Sequence, residues 1–133
     1  MQKLCAQTGT ALIWISHDLA VVSALADRIA VMYAGRIVEQ GRAEDVIGAP
    51  LHPYTRGLID SVPSRNKRGE PLRQITGMAP SILGLPKGCA FRPRCPRGDG
   101  ACLSEPKERE HGDGRFARCF HPHLSEFKLD ALV

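Results

Sequence analysis

The clearest chemical potential in this sequence lies in four cysteines, Cys89, Cys95, Cys102 and Cys119, spaced C-x5-C-x6-C-x16-C in a basic, loop-rich stretch. Four soft donors in one short module suit a metal. On the residues alone three readings stay open: structural zinc, an iron–sulfur cluster, or thiols without a ligand. Zinc ribbons favour cysteine pairs about two to four residues apart, and both close spacings here are longer, which weakens zinc without removing it. A cluster also takes four thiolates but is bulkier, so its ligands can come from a looser wrap of chain. Arg92, Arg94, Arg97 and Arg118 stand among the cysteines and would offset the charge of four thiolates. His121 and His123 follow closely and could replace a ligand, yet four cysteines already fill a site, and a solvated tail is the simpler reading. Cys5 stands apart and reads as a small core residue.

The second candidate is His17. It follows the apolar run Ala11-Leu12-Ile13-Trp14-Ile15 and precedes a helical stretch ending near Ala26. A continuous apolar run of that length reads as a strand covered on both faces, as in a parallel α/β sheet. A histidine between such a strand and a helix lies at the carboxyl edge of the sheet, where open α/β folds hold their ligands. Locally, a plain role at the helix start serves equally well, with Ser16 or Asp18 suited to bond its first free N–H groups.

The elements that must position these residues follow from punctuation and period. Residues 2–8 read as a helix stopped by Gly9. Residues 28–33 and 36–40 are two β-prone runs joined by Ala34-Gly35, which is hairpin spacing. Gly41 is expected to break the second run. A short helix with acidic residues near its start is expected over 42–48, and a last helix over 53–61, opened by Pro53. Tyr54 and Leu58, four apart, would pack one face of that helix, and His52 reads as structural rather than as a ligand. Residues 63–86 are rich in Pro, Gly, Ser and charge and read as a surface arm.

Bulk properties bound the function. The chain has 133 residues, 43% apolar, enough for a core, with no run of the roughly 20 apolar residues that span a bilayer and no signal-peptide pattern. Five cysteines, an odd number, in a chain expected in the cytosol argue against a disulfide framework. The net charge of +4 is uneven: residues 65–118 hold 12 Lys/Arg against 6 Asp/Glu. Few aromatics accompany that charge, so nucleic acid is not the expected partner.

Four ordered segments carry a resemblance to a known family. LIWISHDLAVVSALADRIAVMYAGRIVEQG, residues 12–41, resembles the switch-histidine region of ABC ATPases. APLHPYTRGLIDSVP, residues 49–63, resembles the extension that follows the nucleotide-binding domain in oligopeptide, dipeptide and nickel importers. ITGMAPSI, residues 75–82, resembles a further stretch of that extension, with Thr76 where proline is usual. GCAFRPRCPRGDGACLSEPKEREHGDGRFARC, residues 88–119, resembles its cysteine-rich tail.

The resemblance implies an α/β fold: the end of an ABC ATPase nucleotide-binding domain over 1–48, then a loop-rich extension over 49–133 with a cysteine module at about 87–121. It implies that His17 contacts the γ-phosphate of ATP, with Mg²⁺, and that Cys89, Cys95, Cys102 and Cys119 hold a 4Fe-4S cluster, zinc being the alternative. It implies a partner ATPase subunit, membrane permeases, an extracytoplasmic peptide-binding protein, and a peripheral place on the cytoplasmic side of the inner membrane. The phosphate loop G-x-x-x-x-G-K-[ST], the signature and the Asp-Glu pair, which that family places before the switch histidine, are not in this sequence. The chain is therefore expected to be a fragment of a peptide-import ATPase, without nucleotide binding or hydrolysis by itself and with strands missing beside residues 11–15. The competing expectation is a free-standing zinc or iron–sulfur module with a regulatory or nucleic-acid role.

Overall fold

The hairpin is the centre of the structure. In the computed structural model, which describes residues 2–63, 66–67 and 69–124, β1 (Arg28–Tyr33) and β2 (Arg36–Arg42) pair antiparallel from Arg28↔Arg42 to Tyr33↔Arg36. Ala34 and Gly35 turn the chain at φ 48° and 78°, the left-handed pair a two-residue type I′ turn requires. Alternation along β1 buries Ile29, Val31 and Tyr33. The register shifts between Val31, opposite Glu39, and Met32, opposite Ile37, leaving Val38 as an extra residue in β2. That bulge lets consecutive side chains, Val38 and Glu39, both face the interior.

Gly41 does not break the second strand as expected; it sits within β2 opposite Ile29. A Cβ there would come within 3.3 Å of both Val46 Cγ2 and Arg115 Cγ, so the absent side chain lets neighbouring elements close on the strand. Around the hairpin lie α1 (Gln2–Thr8), α2 (Leu19–Leu25), α3 (Ala43–Gly48) and α4 (Pro53–Asp60). Two short strands from the far end of the chain, β3 (Arg109–Glu110) and β4 (Phe116–Ala117), complete a sheet of order β1-β2-β4-β3. Glu39 pairs with Ala117, and the Arg118 N–H donates to the Val38 carbonyl at 2.9 Å. The sheet thus joins residues on both sides of position 48.

The apolar run expected to be a buried strand is not one. Residues 11–15 form no strand, and Ile13 and Ile15 are 90% and 95% exposed. A central strand needs hydrogen-bonding neighbours, and among the described residues no strand pairs with this run. The part of the expected extension beyond residue 124 lies outside the described residues.

Two buried groups fasten the cysteine-containing half to the hairpin. Glu39, 1% exposed, accepts the N–H groups of Leu51 and His52, each at 2.8 Å, and lies 3.8 Å from the Arg115 guanidinium. Arg115 in turn donates to the Ala49 carbonyl. Burial raises the Glu39 pKa, opposed by those amides, by the Thr55 hydroxyl and by Arg115. His52, also 1% exposed, caps α4: its Nδ1 accepts the Tyr54 N–H at 3.0 Å. The ring also bonds the Arg118 backbone, and burial lowers the His52 pKa to about 4. Phe91 then fills the space between Tyr33, Tyr54 and His52, with ring centroids 5.2, 5.4 and 5.8 Å away.

Glu39→Ala would leave two amides without their acceptor and the buried Arg115 guanidinium without its counter-charge, and is expected to destabilise the chain by about 3–5 kcal/mol in urea unfolding. Glu44→Ala, at an exposed residue, is expected to change stability by no more than about 0.5 kcal/mol. His52 stays neutral in the folded chain while the unfolded side chain takes up a proton below its ordinary pKa. Its contribution is therefore present near neutral pH and is lost as pH falls from about 6.5 towards about 4. Since His52→Asn keeps a capping acceptor without that titration, the stability gap between wild type and variant is expected to narrow by about 2 kcal/mol between pH 7 and pH 5.

Candidate metal centre and the switch-histidine turn

The cysteine segment is a chain of tight turns. Cys89 N–H bonds the Cys102 carbonyl at 3.0 Å, closing residues 89–102 into a loop. Within it, Arg92–Arg94 and Gly100–Leu103 form 3-10 turns. Gly88, at φ 81°, precedes the first cysteine, and a Cβ there would overlap the carbonyls of Cys102 and Leu103. Only a glycine lets the two ends of the loop come so close.

These turns bring the four thiols together. Electrostatic interaction links every pair among Cys89, Cys95, Cys102 and Cys119. Three of the sulfurs also receive backbone N–H groups from two residues further on: Phe91 for Cys89, Arg97 for Cys95 and His121 for Cys119. The last of these measures 3.3 Å from N to Sγ. Burial, and then the neighbouring thiols, push Cys119 up to about 11, and burial raises Cys89 and Cys95 as well. All four are free thiols, so a group that neutralises thiolates would lift the repulsion among them. Four converging soft donors, three of them held by amides that would stabilise the ionised sulfur, suit a thiolate-bound metal group.

The arginines divide their roles. Arg92 acts electrostatically on Cys89, and Arg97 on Cys95. Arg94 instead donates to the Thr76 and Ile75 carbonyls at 3.0 and 3.3 Å and reaches Tyr33 Oη at 3.5 Å, pinning the surface arm to the hairpin. Ile75 packs where Gly57 leaves room on α4; a Cβ at Gly57 would lie 2.6 Å from Ile75 Cγ1. Cys5 lies on α1, half-buried and apart from the module's sequence.

His121 and His123 are not a solvated tail. The His123 N–H bonds the Leu51 carbonyl at 2.8 Å, and its Nδ1 lies 2.9 Å from an Arg97 nitrogen. His121 Nε2 lies 2.9 Å from Asp99 Oδ1. The backbone bond to Leu51 draws both rings against the module, because the segment continues from β4 across the buried Glu39 knot.

His17 lies in the turn before α2 and is exposed. The cap is Asp18, whose carboxylate accepts the N–H groups of Ala20 and Val21 at 2.9 and 3.3 Å. Ser16 Oγ accepts the Asp18 N–H at 3.0 Å. The imidazole is therefore not spent on starting the helix.

Sequence reasoning passed over Glu39, Arg115 and Asp99. Glu39 carried a signal, an acidic residue inside the β-prone run Arg36 to Gln40, but only the bulge at Val38 turns it inward. Arg115 and Asp99 lie in loop-rich sequence where no period marks an inward face.

Residues 38–102 match the family described as oligopeptide/dipeptide transporter, C-terminal region. The chain is 45% identical over 122 residues to the oligopeptide transport ATP-binding protein OppD of Escherichia coli (strain K12), covering 92% of this chain and 36% of that protein. It is 43% identical over 121 residues to AppD, an oligopeptide transport ATP-binding protein of Bacillus subtilis (strain 168), covering 90% and 37%. It is 42% identical over 124 residues to the dipeptide transport ATP-binding protein DppF of Haemophilus influenzae (strain ATCC 51907 / DSM 11121 / KW20 / Rd), covering 91% and 38%. The chain spans little more than a third of the length of these curated relatives. The family match and the long, ordered identity agree with the segments read from the sequence: the chain corresponds to the C-terminal part of peptide-importer ATP-binding proteins.

Proposed function

We propose that this chain forms the C-terminal region of an ATP-hydrolysing subunit that energises peptide import, and that its cysteine module holds a 4Fe-4S cluster on Cys89, Cys95, Cys102 and Cys119. The observation that carries the second part is the convergence of four thiols, three of them accepting a backbone N–H. Zinc with bonds of about 2.3 Å would need sulfurs about 3.8 Å apart. Among the described residues, the ligand trio that closes within 4.8 Å is Asp99, Cys102 and His121 rather than any three of the cysteines. A wider four-sulfur set favours the bulkier group.

The cluster, when bound, supplies four iron–sulfur bonds that replace a hydrophobic core in a polar, loop-rich module. The chain's own residues do the rest. Phe91, Arg97 and His121 amides orient the sulfurs, Gly88 closes the loop, and Arg92 and Arg97 lower its charge. The module then rests on the hairpin through Glu39, His52 and Phe91.

In the ATP-binding half of the function, His17 meets the γ-phosphate of ATP. Support comes from its place in a Ser-His-Asp turn where Asp18 caps the helix and leaves the imidazole exposed. Bound Mg²⁺ and the phosphate loop belong to a longer subunit, as do contacts with a second ATPase subunit, membrane permeases and a peptide-binding protein on the other side of the membrane. No described helix is long and apolar enough to cross a bilayer, which agrees with a peripheral place on the cytoplasmic face.

Two measurements test the proposal. Protein purified without oxygen is expected to be brown, with about four irons and four acid-labile sulfides per chain, and to lose both in Cys95→Ser. Stoichiometric zinc without iron would contradict the cluster. In a subunit long enough to carry the phosphate loop, His17→Ala is expected to lower ATPase kcat by roughly 100-fold or more while ATP binding persists; unchanged turnover would remove His17 from the reaction.

A further inference from the structure

The trio Asp99, Cys102 and His121 has the makings of a different site. Its three ligand atoms, one oxygen, one sulfur and one nitrogen, all lie within 4.8 Å of one another. Cys102 is 5% exposed, and His121 Nε2, shielded from solvent, already faces Asp99 Oδ1 at 2.9 Å. The backbone already fixes all three. The Asp99 side chain accepts the Ala101 N–H at 2.9 Å, and the Cys102 N–H bonds the Asp99 carbonyl at 3.2 Å. His121 is held through its own N–H on Cys119 Sγ at 3.3 Å.

We propose that Asp99, Cys102 and His121 form a mononuclear site for a zinc-class divalent cation, sharing Cys102 with the four-cysteine set, so that the two sites cannot be filled together. Mixed oxygen, nitrogen and sulfur donors suit zinc, which accepts three protein ligands and leaves a fourth position for water. Bond lengths of about 2.0–2.3 Å place such ligand atoms about 3.3–3.8 Å apart, so small side-chain rotations from the present spacing close the site. Binding is a proton exchange without redox change. The Cys102 thiol releases its proton to solvent, His121 offers the Nε2 lone pair with its proton on Nδ1, and Asp99 gives a carboxylate oxygen.

The shared cysteine gives the module two alternative occupants. A cluster takes Cys102 together with Cys89, Cys95 and Cys119; a lone divalent ion takes it with Asp99 and His121. The mononuclear site does not depend on the cluster proposal, because two of its three ligands, Asp99 and His121, lie outside the four-cysteine set and zinc alone is its probe.

The test uses the full 133-residue chain, reduced and metal-free, titrated with zinc chloride and examined by zinc-edge X-ray absorption. One equivalent of zinc with a single sulfur and otherwise nitrogen or oxygen neighbours is the expected result. Two or more sulfurs around zinc, or no stoichiometric binding, would overturn it. Affinities of variants give the second readout. Cys119→Ser is expected to change zinc affinity by less than about threefold, whereas Asp99→Asn and His121→Ala each weaken it by about tenfold or more. The reverse ranking, with Cys119→Ser the damaging change, would assign the zinc to the cysteine set and refute the trio.

Discussion

A carboxylate at 1% exposure can stay in a protein interior only if donors surround it, and Glu39 draws its partners from two other parts of the chain, so that three parts meet there. The carboxylate belongs to β2, the amides to the loop before α4, and the guanidinium to the segment leading into β4. None of these segments packs there for apolar reasons alone. The β-bulge at Val38 supplies the inward direction, and Gly41 supplies the room for Arg115. From this knot follow the cap of α4 by His52, the pairing of β4 on β2 and the return of the chain towards Leu51 through His123. Remove the acceptor and the cysteine-containing half loses its buried polar anchor on the hairpin, leaving the β2–β4 pairing, the Arg118–Val38 bond and the Phe91 ring stack.

The cysteine module stands on that attachment but does not share its chemistry. It is poor in regular structure and rich in Pro, Gly and Arg, so its order comes from short backbone bonds that close turns rather than from apolar burial. Burial first, and then the electrostatic interaction among the four thiols, opposes ionisation without a cation among them and pushes the Cys119 pKa up to about 11. The same arrangement is well prepared for a metal group: the amides that bond neutral sulfur weakly bond thiolate strongly. Local arginines reduce the remaining charge, and Asp99 with His121 offers Cys102 a second set of companions.

Much of this was legible in the residues, and the exceptions have physical causes. The Ala34-Gly35 turn, the Asp18 cap and the Pro53 helix start depend on local backbone chemistry, which a single sequence carries in full. The convergence of the cysteines was legible in kind, through residue type and density, though not in geometry. Residues 11–15 misled because an apolar run states that a strand would be buried, not that its neighbours stand beside it. Glu39 was hidden because one extra residue in β2 inverts the expected alternation. Strands β3 and β4, two residues each, are too short to leave a period; β4 pairs on the edge of β2 and β3 on β4. The order His121 and His123 adopt could not be read locally, since their anchor, Leu51, lies far back in the chain.

Joining the hairpin to the cysteine module implies that a metal group, bound as proposed, would stabilise contacts remote from the sulfurs. Amide hydrogen exchange, compared between iron-loaded and metal-stripped chain, reads that linkage residue by residue. The account requires the Leu51, His52 and Arg118 amides, which bond Glu39 and Val38, to gain protection on loading along with the cysteine turns. Protection that rises only within residues 89–102, with those three amides unchanged, would contradict it and leave the module an independent appendage.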